Sequence, residues 1–149
     1  SDLVGPHGYS ADISRSWTVG DNRATDEQRR LYSVAHEQVS RNSELFQPGR
    51  SFFEIADMAW RLPEPYSSLE QPAIAHGIGL CNEFPLVMHS NYIRQLGHDG
   101  IVETGMVMCV ESYVGATEGH EGVKLEQQVL VTESGCELLS DMEFEDYLL

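Results

Sequence analysis

The chain has 149 residues, of which 41% are apolar, and is long enough to bury the core of one domain. Its 24 acidic residues against 9 basic ones give a formal net charge of −15, which argues against nucleic acid or a membrane surface as a partner. No segment approaches the roughly 18 consecutive apolar residues of a membrane span, and the three cysteines lack the spacing of a zinc site or a disulfide framework. We therefore expect a single domain over residues 1–149, located in the cytoplasm, where thiols stay reduced.

The N-terminus is predicted to form a β-hairpin. Gly5-Pro6 and Gly8 supply turn geometry between residues that favour strands. If the hairpin closes, Asp2 on one strand and Asp12 on the other point into the same space. The chain starts abruptly in what looks like a strand, so we expect further polypeptide upstream.

Two helices are predicted to follow the hairpin. Thr25 and Gln28 form a capping box before apolar residues at helical spacing, which predicts a helix over about residues 25–46. Ser51 and Glu54 open a second capping box, and that helix should end at Pro63.

Strand-like segments dominate the rest of the chain. They cover residues 73–76, 106–111, 122–132 and 137–139, and the last two flank the turn at residues 133–135. A hairpin, two helices and several strands make an α+β fold. The acidic tail, residues 143–149, is expected to fray.

The loop histidines and Arg15 are weaker candidates for functional residues. His89, His98 and His120 fall in polar or glycine-flanked loops, where binding residues often lie. Arg15 follows the hairpin and is expected to pair with an acid on its own sheet.

Three side chains could join the two aspartates of the hairpin. His76 lies where a strand-like segment meets two glycines, and Glu111 ends an apolar segment, where a carboxylate needs an explanation for being buried. Strand alternation places Glu126 on the face opposite its apolar neighbours. Each residue alone is more often structural, but four carboxylates and one imidazole at the edges of apolar strands are the ligands of a two-metal site in which carboxylates bridge.

Five motifs occur in a fixed order along the chain: GYSADISR at residues 8–15, HGIGL at 76–80, EFP at 83–85, GMV at 105–107 with Glu111, and GVKLE at 122–126 followed by VLVT at 129–132. In content and order they resemble the pita-bread metallopeptidase superfamily of methionine aminopeptidases, prolidases and creatinase. The resemblance implies the C-terminal portion of a pita-bread fold. It also implies two divalent metal ions held by five ligands, of which Asp12 and Glu126 bridge: Asp2, Asp12, His76, Glu111 and Glu126.

Departures from the prolidase pattern point away from amide hydrolysis. Asn82 stands where those peptidases place a second histidine, and Glu111 is followed by Ser112-Tyr113 instead of Pro-Gly. The blocks SDLVGP at residues 1–6 and AHGIGLCNEFP at 75–85 instead resemble a branch of the superfamily, the dimethylsulfoniopropionate lyases of marine bacteria. These enzymes form acrylate and dimethyl sulfide by β-elimination.

Asn82 decides how far this resemblance extends. In the lyase branch a carboxylate at this position is the usual base, and asparagine has the same size without useful basicity. Either the chain is disabled at its base, or another group, such as Glu83 or a metal-bound hydroxide, removes the proton. We predict a metal-dependent dimethylsulfoniopropionate lyase with Asn82 at the base position. The alternatives are a metal-dependent aminopeptidase or prolidase acting on Xaa-Pro substrates, and a catalytically inactive pita-bread module that binds a partner.

The metal and the assembly are also predicted from the resemblance. Oxygen and imidazole ligands suit iron, zinc, manganese, cobalt and nickel, and the resemblance favours iron. It also implies a homodimer that binds a small-molecule substrate.

Overall fold

A β-hairpin opens the chain in the computed structural model, which describes residues 2–20 and 23–149. Strands β1 (Asp2–Val4) and β2 (Ser10–Asp12) form a two-stranded antiparallel sheet in which Asp2 lies opposite Asp12. The turn between them includes Gly8 with φ 82°, a conformation that other residues rarely adopt. The predicted hairpin and its facing aspartates are therefore present.

Three helices follow: α1 (Asp26–Ser43), α2 (Phe52–Met58) and α3 (Ser90–Leu96). Both predicted capping boxes form, but α1 and α2 end earlier than predicted. The backbone N–H of Trp60 donates to Asn42 Oδ1 at 2.8 Å instead of continuing α2. Among the described residues, no helix combines the length and apolar character needed to cross a membrane.

A five-stranded antiparallel sheet forms the body of the molecule, with the strand order β4-β3-β5-β6-β7. Its strands are β3 (Ala73–Gly77), β4 (Leu86–Met88), β5 (Val107–Gly115), β6 (Gly122–Thr132) and β7 (Gly135–Leu138). The sequence predicted β3, β5, β6 and β7. It did not predict β4 or α3, because segments of three and seven residues are too short to show a clear hydrophobic period.

Helix α1 covers one face of the long strands β5 and β6. Its buried residues recur at helical spacing, and they pack against apolar residues that alternate along the two strands. Helix α1 does not cover the opposite face of these strands. The residues of this contact are Leu31, Tyr32, Ala35 and Val39 on the helix, and Val114, Val123 and Leu125 on the strands.

The C-terminal tail is packed, so the prediction that it frays was wrong. Residues 146–148 form a single 3-10 turn, in which Leu148 is buried against the α1 contact. The backbone N–H of Glu145 donates to the hydroxyl of Tyr32 at 2.8 Å. Burial of apolar side chains therefore holds the tail in place although it carries several acidic residues.

Arg15 also ties the tail to the sheet. Its guanidinium donates to the backbone carbonyls of Met142 and Glu143 and lies 4.0 Å from the centre of the Phe144 ring. It also donates to the carbonyl of Glu126. In the described part of the chain, these contacts take the place of the predicted pairing with an acid.

Candidate metal centre

Two of the predicted ligands come from the longest strand pair. Glu111 of β5 lies directly opposite Glu126 of β6, and residues paired across antiparallel strands point to the same face. That face is the one that α1 does not cover. Glu126 is only 2% exposed, so its carboxylate needs partners inside the molecule.

His76 lies beside this pair, on strand β3. Its Nε2 is 3.3 Å from Glu126 Oε1 and 4.0 Å from Asp12 Oδ2, while Nδ1 is 3.1 Å from the carbonyl oxygen of Gly77. In the metal-free protein Nδ1–H donates to that carbonyl and Nε2–H donates to Glu126. Loss of the Nε2 proton would free this nitrogen for a metal ion among the carboxylates. Histidines that bind metals are typically held by such a second hydrogen bond.

The N-terminal hairpin docks on β6 and brings Asp12 to the same place. Ser14 forms an isolated bridge with Glu126, whose N–H donates to the Ser14 carbonyl at 3.0 Å. The Ser14 hydroxyl donates to Glu126 Oε2 at 2.8 Å. The N–H of Asp12 donates to Gln128 Oε1 at 3.3 Å.

Asn82 lies on the loop that follows β3 and reaches the hairpin. Its side-chain amide donates to Asp2 Oδ1 at 3.2 Å. The loop folds back closely over β3. A Cβ on Gly77 would come within 2.2 Å of the carbonyl oxygen of Phe84. Only glycine fits there, and the loop is thereby held against the strand that carries His76.

The crowding of carboxylates shifts the pKa values of the site. Burial, the charge of Glu126 and a hydrogen bond with Asp2 raise the pKa of Asp12 to about 6. Burial would lower the pKa of His76, but its hydrogen bonds with Glu126 and the Gly77 carbonyl raise it to about 9. Burial works against the charged form of Glu126, yet the hydrogen bond with His76 and the charge of Lys124 leave its pKa lowered. The site thus concentrates negative charge that a cation would stabilise.

The structure brings all five predicted ligands into one region. His76 Nε2 lies within 4.0 Å of a carboxylate oxygen of both Asp12 and Glu126, Asp2 lies opposite Asp12, and Glu111 lies opposite Glu126. Carboxylates with one imidazole whose Nε2 faces them are a donor set suited to divalent cations. The ligand roles themselves stay predictions.

Sequence reasoning missed two residues of this region. The ammonium of Lys124 contacts Glu111 Oε2, and the thiol of Cys109 forms a cluster with His76 and Glu126 in which the donor atoms lie within 4.8 Å of one another. Each of the two precedes a predicted glutamate ligand by two residues. Strand alternation, which puts such residues on one face, could have found both.

The three histidines predicted to lie in loops, His89, His98 and His120, have different surroundings in the structure. His98 and His120 are exposed. His89 is 1% exposed in the core, where its Nε2 lies 3.6 Å from Glu70 Oε1. Burial, opposed by the charge of Glu70 and assisted by that of Arg61, lowers the pKa of His89 to about 4.

A family comparison agrees with this geometry. The model of metallopeptidase family M24 matches residues 2–133. The chain belongs to metallopeptidase family M24. This confirms the predicted superfamily, and the fold is the C-terminal part of the pita-bread architecture, as predicted. Members of the M24 family are typically dinuclear metalloenzymes.

The chain is similar in sequence to two lyases and in structure to a prolidase. It is 39% identical over its whole length to dimethylsulfoniopropionate lyase DddP of Roseovarius nubinhibens, and 34% identical to the Roseobacter denitrificans protein of the same name. Prolidase of Pyrococcus horikoshii superimposes with a TM-score of 0.78 and 25% identity, covering 97% of this chain and 37% of the prolidase. The chain spans 33% of the length of each lyase.

Proposed function

We propose that this chain is the metal-binding part of a lyase that splits dimethylsulfoniopropionate into acrylate and dimethyl sulfide. One observation carries the proposal: similarity to two dimethylsulfoniopropionate lyases extends over the whole chain at 39% and 34% identity, against 29% over 92% of the chain for the Xaa-Pro dipeptidase of Pyrococcus furiosus. The geometry supports it, because Asn82 reaches Asp2 from the position that the resemblance gives to the base.

Five residues would hold two divalent metal ions: Asp2, Asp12, His76, Glu111 and Glu126, with Asp12 and Glu126 bridging. We propose iron, although the donor set also suits zinc, manganese, cobalt and nickel. Bound cations would draw negative charge from the substrate carboxylate, so that a proton on the adjacent carbon is lost more easily. The chain contributes orientation: Ser14 fixes the Glu126 carboxylate, and the Gly77 carbonyl fixes the His76 ring.

The elimination also needs a base. The base takes a proton from the carbon next to the carboxylate, the electron pair of that C–H bond forms the double bond, and the C–S bond breaks to release dimethyl sulfide. The Asn82 amide donates a hydrogen bond to Asp2 and has no useful basicity. We therefore propose that elimination by this chain is slow unless another group, such as Glu83, takes the proton.

The decisive variant is Asn82→Asp in the full-length, metal-loaded protein. An aspartate at position 82 would supply the basic oxygen that the amide lacks, at the place where Asn82 reaches Asp2. We expect release of dimethyl sulfide, measured by headspace gas chromatography, to rise by about a hundredfold or more. Asn91→Asp is the matched control, because it adds the same charge on the exposed surface of α3. If Asn82→Asp releases no more dimethyl sulfide than the parent, the base assignment is wrong.

A metal-dependent aminopeptidase or prolidase is the second candidate. The superposition on a prolidase over 97% of the chain favours it. Incubation with an Xaa-Pro dipeptide separates the two activities, since a peptidase releases free proline and no dimethyl sulfide. The third candidate, an inactive pita-bread module that binds a partner, is favoured if neither the parent nor Asn82→Asp turns over either substrate and neither binds metal.

We also propose a cytoplasmic homodimer. All three cysteines are free thiols, which fits a reducing compartment, and the dimer follows from the resemblance to the superfamily. Light scattering coupled to size-exclusion chromatography of the full-length protein would measure its mass in solution, and a monomer would contradict this part of the proposal.

A further inference from the structure

Lys124 is the only lysine in the sequence, and all other basic residues of the chain are arginines. It lies on β6 two residues before Glu126, and therefore on the same face of the sheet. Its ammonium contacts Glu111 Oε2 and lies 3.9 Å from Glu126 Oε2. The single lysine thus stands between the two glutamates of the proposed metal centre.

These glutamates are poorly hydrated. The side chain of Glu111 is 13% exposed and that of Glu126 is 3% exposed, and they lie opposite each other on neighbouring strands. Two carboxylates at such positions repel each other, and burying them without a counter-ion is costly. A lysine ammonium is a compact charge on a flexible stem, which suits this role.

Of the other cationic groups nearby, His76 faces Glu126 through Nε2, and Arg15 is directed elsewhere. Its guanidinium donates to the backbone carbonyl of Glu126, to Gln127 Oε1 and to the tail carbonyls of Met142 and Glu143. Only Lys124 contacts a side-chain oxygen of Glu111 among the salt bridges of the described residues. A metal that binds Glu111 through Oε2 would compete with this ammonium for the same atom.

We propose that Lys124 is the internal counter-ion of the metal centre, and that it positions Glu111 in the metal-free protein and lowers the affinity for the metal. The inference rests on the metal site of the proposed function. Two effects have the same sign: the metal must displace the ammonium from Glu111, and the displaced ammonium stays close enough to repel the incoming cation. Lys124 therefore stabilises the metal-free protein and keeps metal binding weaker than the carboxylates alone would make it.

The test compares Mn²⁺ binding by the full-length wild type, Lys124→Met and Lys124→Arg after removal of metal with a chelator. Calorimetry should show that Lys124→Met binds Mn²⁺ about tenfold more tightly, whereas Lys124→Arg, which keeps the charge, stays close to the wild type. The metal-free Lys124→Met protein should melt at a lower temperature, so that Mn²⁺ raises its Tm by more than it raises the Tm of the wild type.

Chemical modification provides a second measurement that does not depend on how a variant folds. Lys124 borders an open cleft of about 370 Å³ and its side chain is 32% exposed, so reagents can reach it in the folded protein. Acetylation removes the charge and reductive methylation keeps it. With modification of Lys124 verified by peptide mass mapping, the acetylated protein should bind Mn²⁺ more tightly than the methylated one.

The outcomes separate this inference from the proposed function. If Lys124→Met and the acetylated protein both bind Mn²⁺ no more tightly than the wild type, the counter-ion role is wrong and the metal centre stands. If the wild type binds no Mn²⁺ at all, the metal centre is wrong and the role of Lys124 is overturned with it.

Discussion

Four of the five proposed ligands come from two regions that differ in how firmly they are packed, and the fifth, His76, lies on β3. Strands β5 and β6, of nine and eleven residues, are covered by α1 on one face and supply Glu111 and Glu126. The hairpin strands have three residues each and supply Asp2 and Asp12, while their apolar residues Leu3 and Val4 are 65% and 73% exposed. Short hairpins are marginally stable by themselves. The long strands should therefore set the position of the site, and the hairpin should complete it only after docking.

The largest effect is expected from Glu126→Gln, on the long-strand side of this comparison. The substitution keeps the size of the side chain but removes the charge from the residue that contacts His76, Ser14 and Lys124. We expect the affinity for Mn²⁺ to fall by about a thousandfold, since residues that only orient a metal ligand already cost 10–100-fold. Calorimetric titration measures this loss. An affinity within a few fold of the wild type would show that Glu126 is not a ligand.

The next largest effect is the pH dependence of folding stability that the buried side chain of His89 causes. Its pKa is lowered to about 4 in the folded protein, whereas an unfolded histidine titrates near 6.5. The unfolded state therefore takes up the proton first, and folding stability falls as the pH drops from 6.5 towards 4. The contribution reaches about 3 kcal/mol at pH 4.

Urea unfolding between pH 7 and pH 4 of the wild type and of His89→Gln measures this contribution. The glutamine variant should lose less stability over that interval, and its affinity for Mn²⁺ at pH 7 should be unchanged. An identical pH dependence in the two proteins would contradict the assignment of a neutral, buried His89.

A smaller effect is expected from Arg15→Ala, at the junction between the hairpin and the tail. Because the guanidinium holds the carbonyls of Met142 and Glu143 against β6, its removal should lower the free energy of unfolding by about 2 kcal/mol. It should also make the tail a site of limited proteolysis. Arg30→Ala is the control, because this α1 arginine is 65% exposed in a surface ion pair. Equal stability loss in both variants would contradict the anchoring role.

The smallest effect is expected from Asp2→Asn, on the hairpin side. Asp2 is exposed and its pKa is lowered by hydrogen bonds with Asn82 and Asp12. Since water reaches this exposed position and can replace the lost carboxylate oxygen as a ligand, the affinity for Mn²⁺ should fall by only about tenfold, at the low end of the effects expected around a metal. If Asp2→Asn and Glu126→Gln cost the same affinity, the hairpin is as firmly fixed as the long strands, and the comparison between the two regions fails.

Much of this arrangement could be predicted from the sequence, and the exceptions have physical causes. Capping boxes are local signals, so the starts of α1 and α2 were predictable at Thr25 and Ser51. The long alternating pattern of β6 gave its bounds without error. The early end of α2 depends on the contact between Trp60 and Asn42, which are distant in sequence.

The sequence predicted residues that lie close together in the structure, but it did not predict the charges around them. The motif series named five residues that the structure brings together. Lys124 was overlooked because a lysine on a strand is usually solvated. Its role becomes visible only when β5 and β6 are aligned in register and Glu111 lies opposite Glu126.

Anomalous diffraction from crystals of the full-length protein grown with Mn²⁺ tests the central claim most directly. The account predicts two peaks between the hairpin and the long strands, both bridged by Asp12 and Glu126, with Asp2, His76 and Glu111 completing the coordination. One peak or none at this place, or peaks bound by other residues, would contradict it.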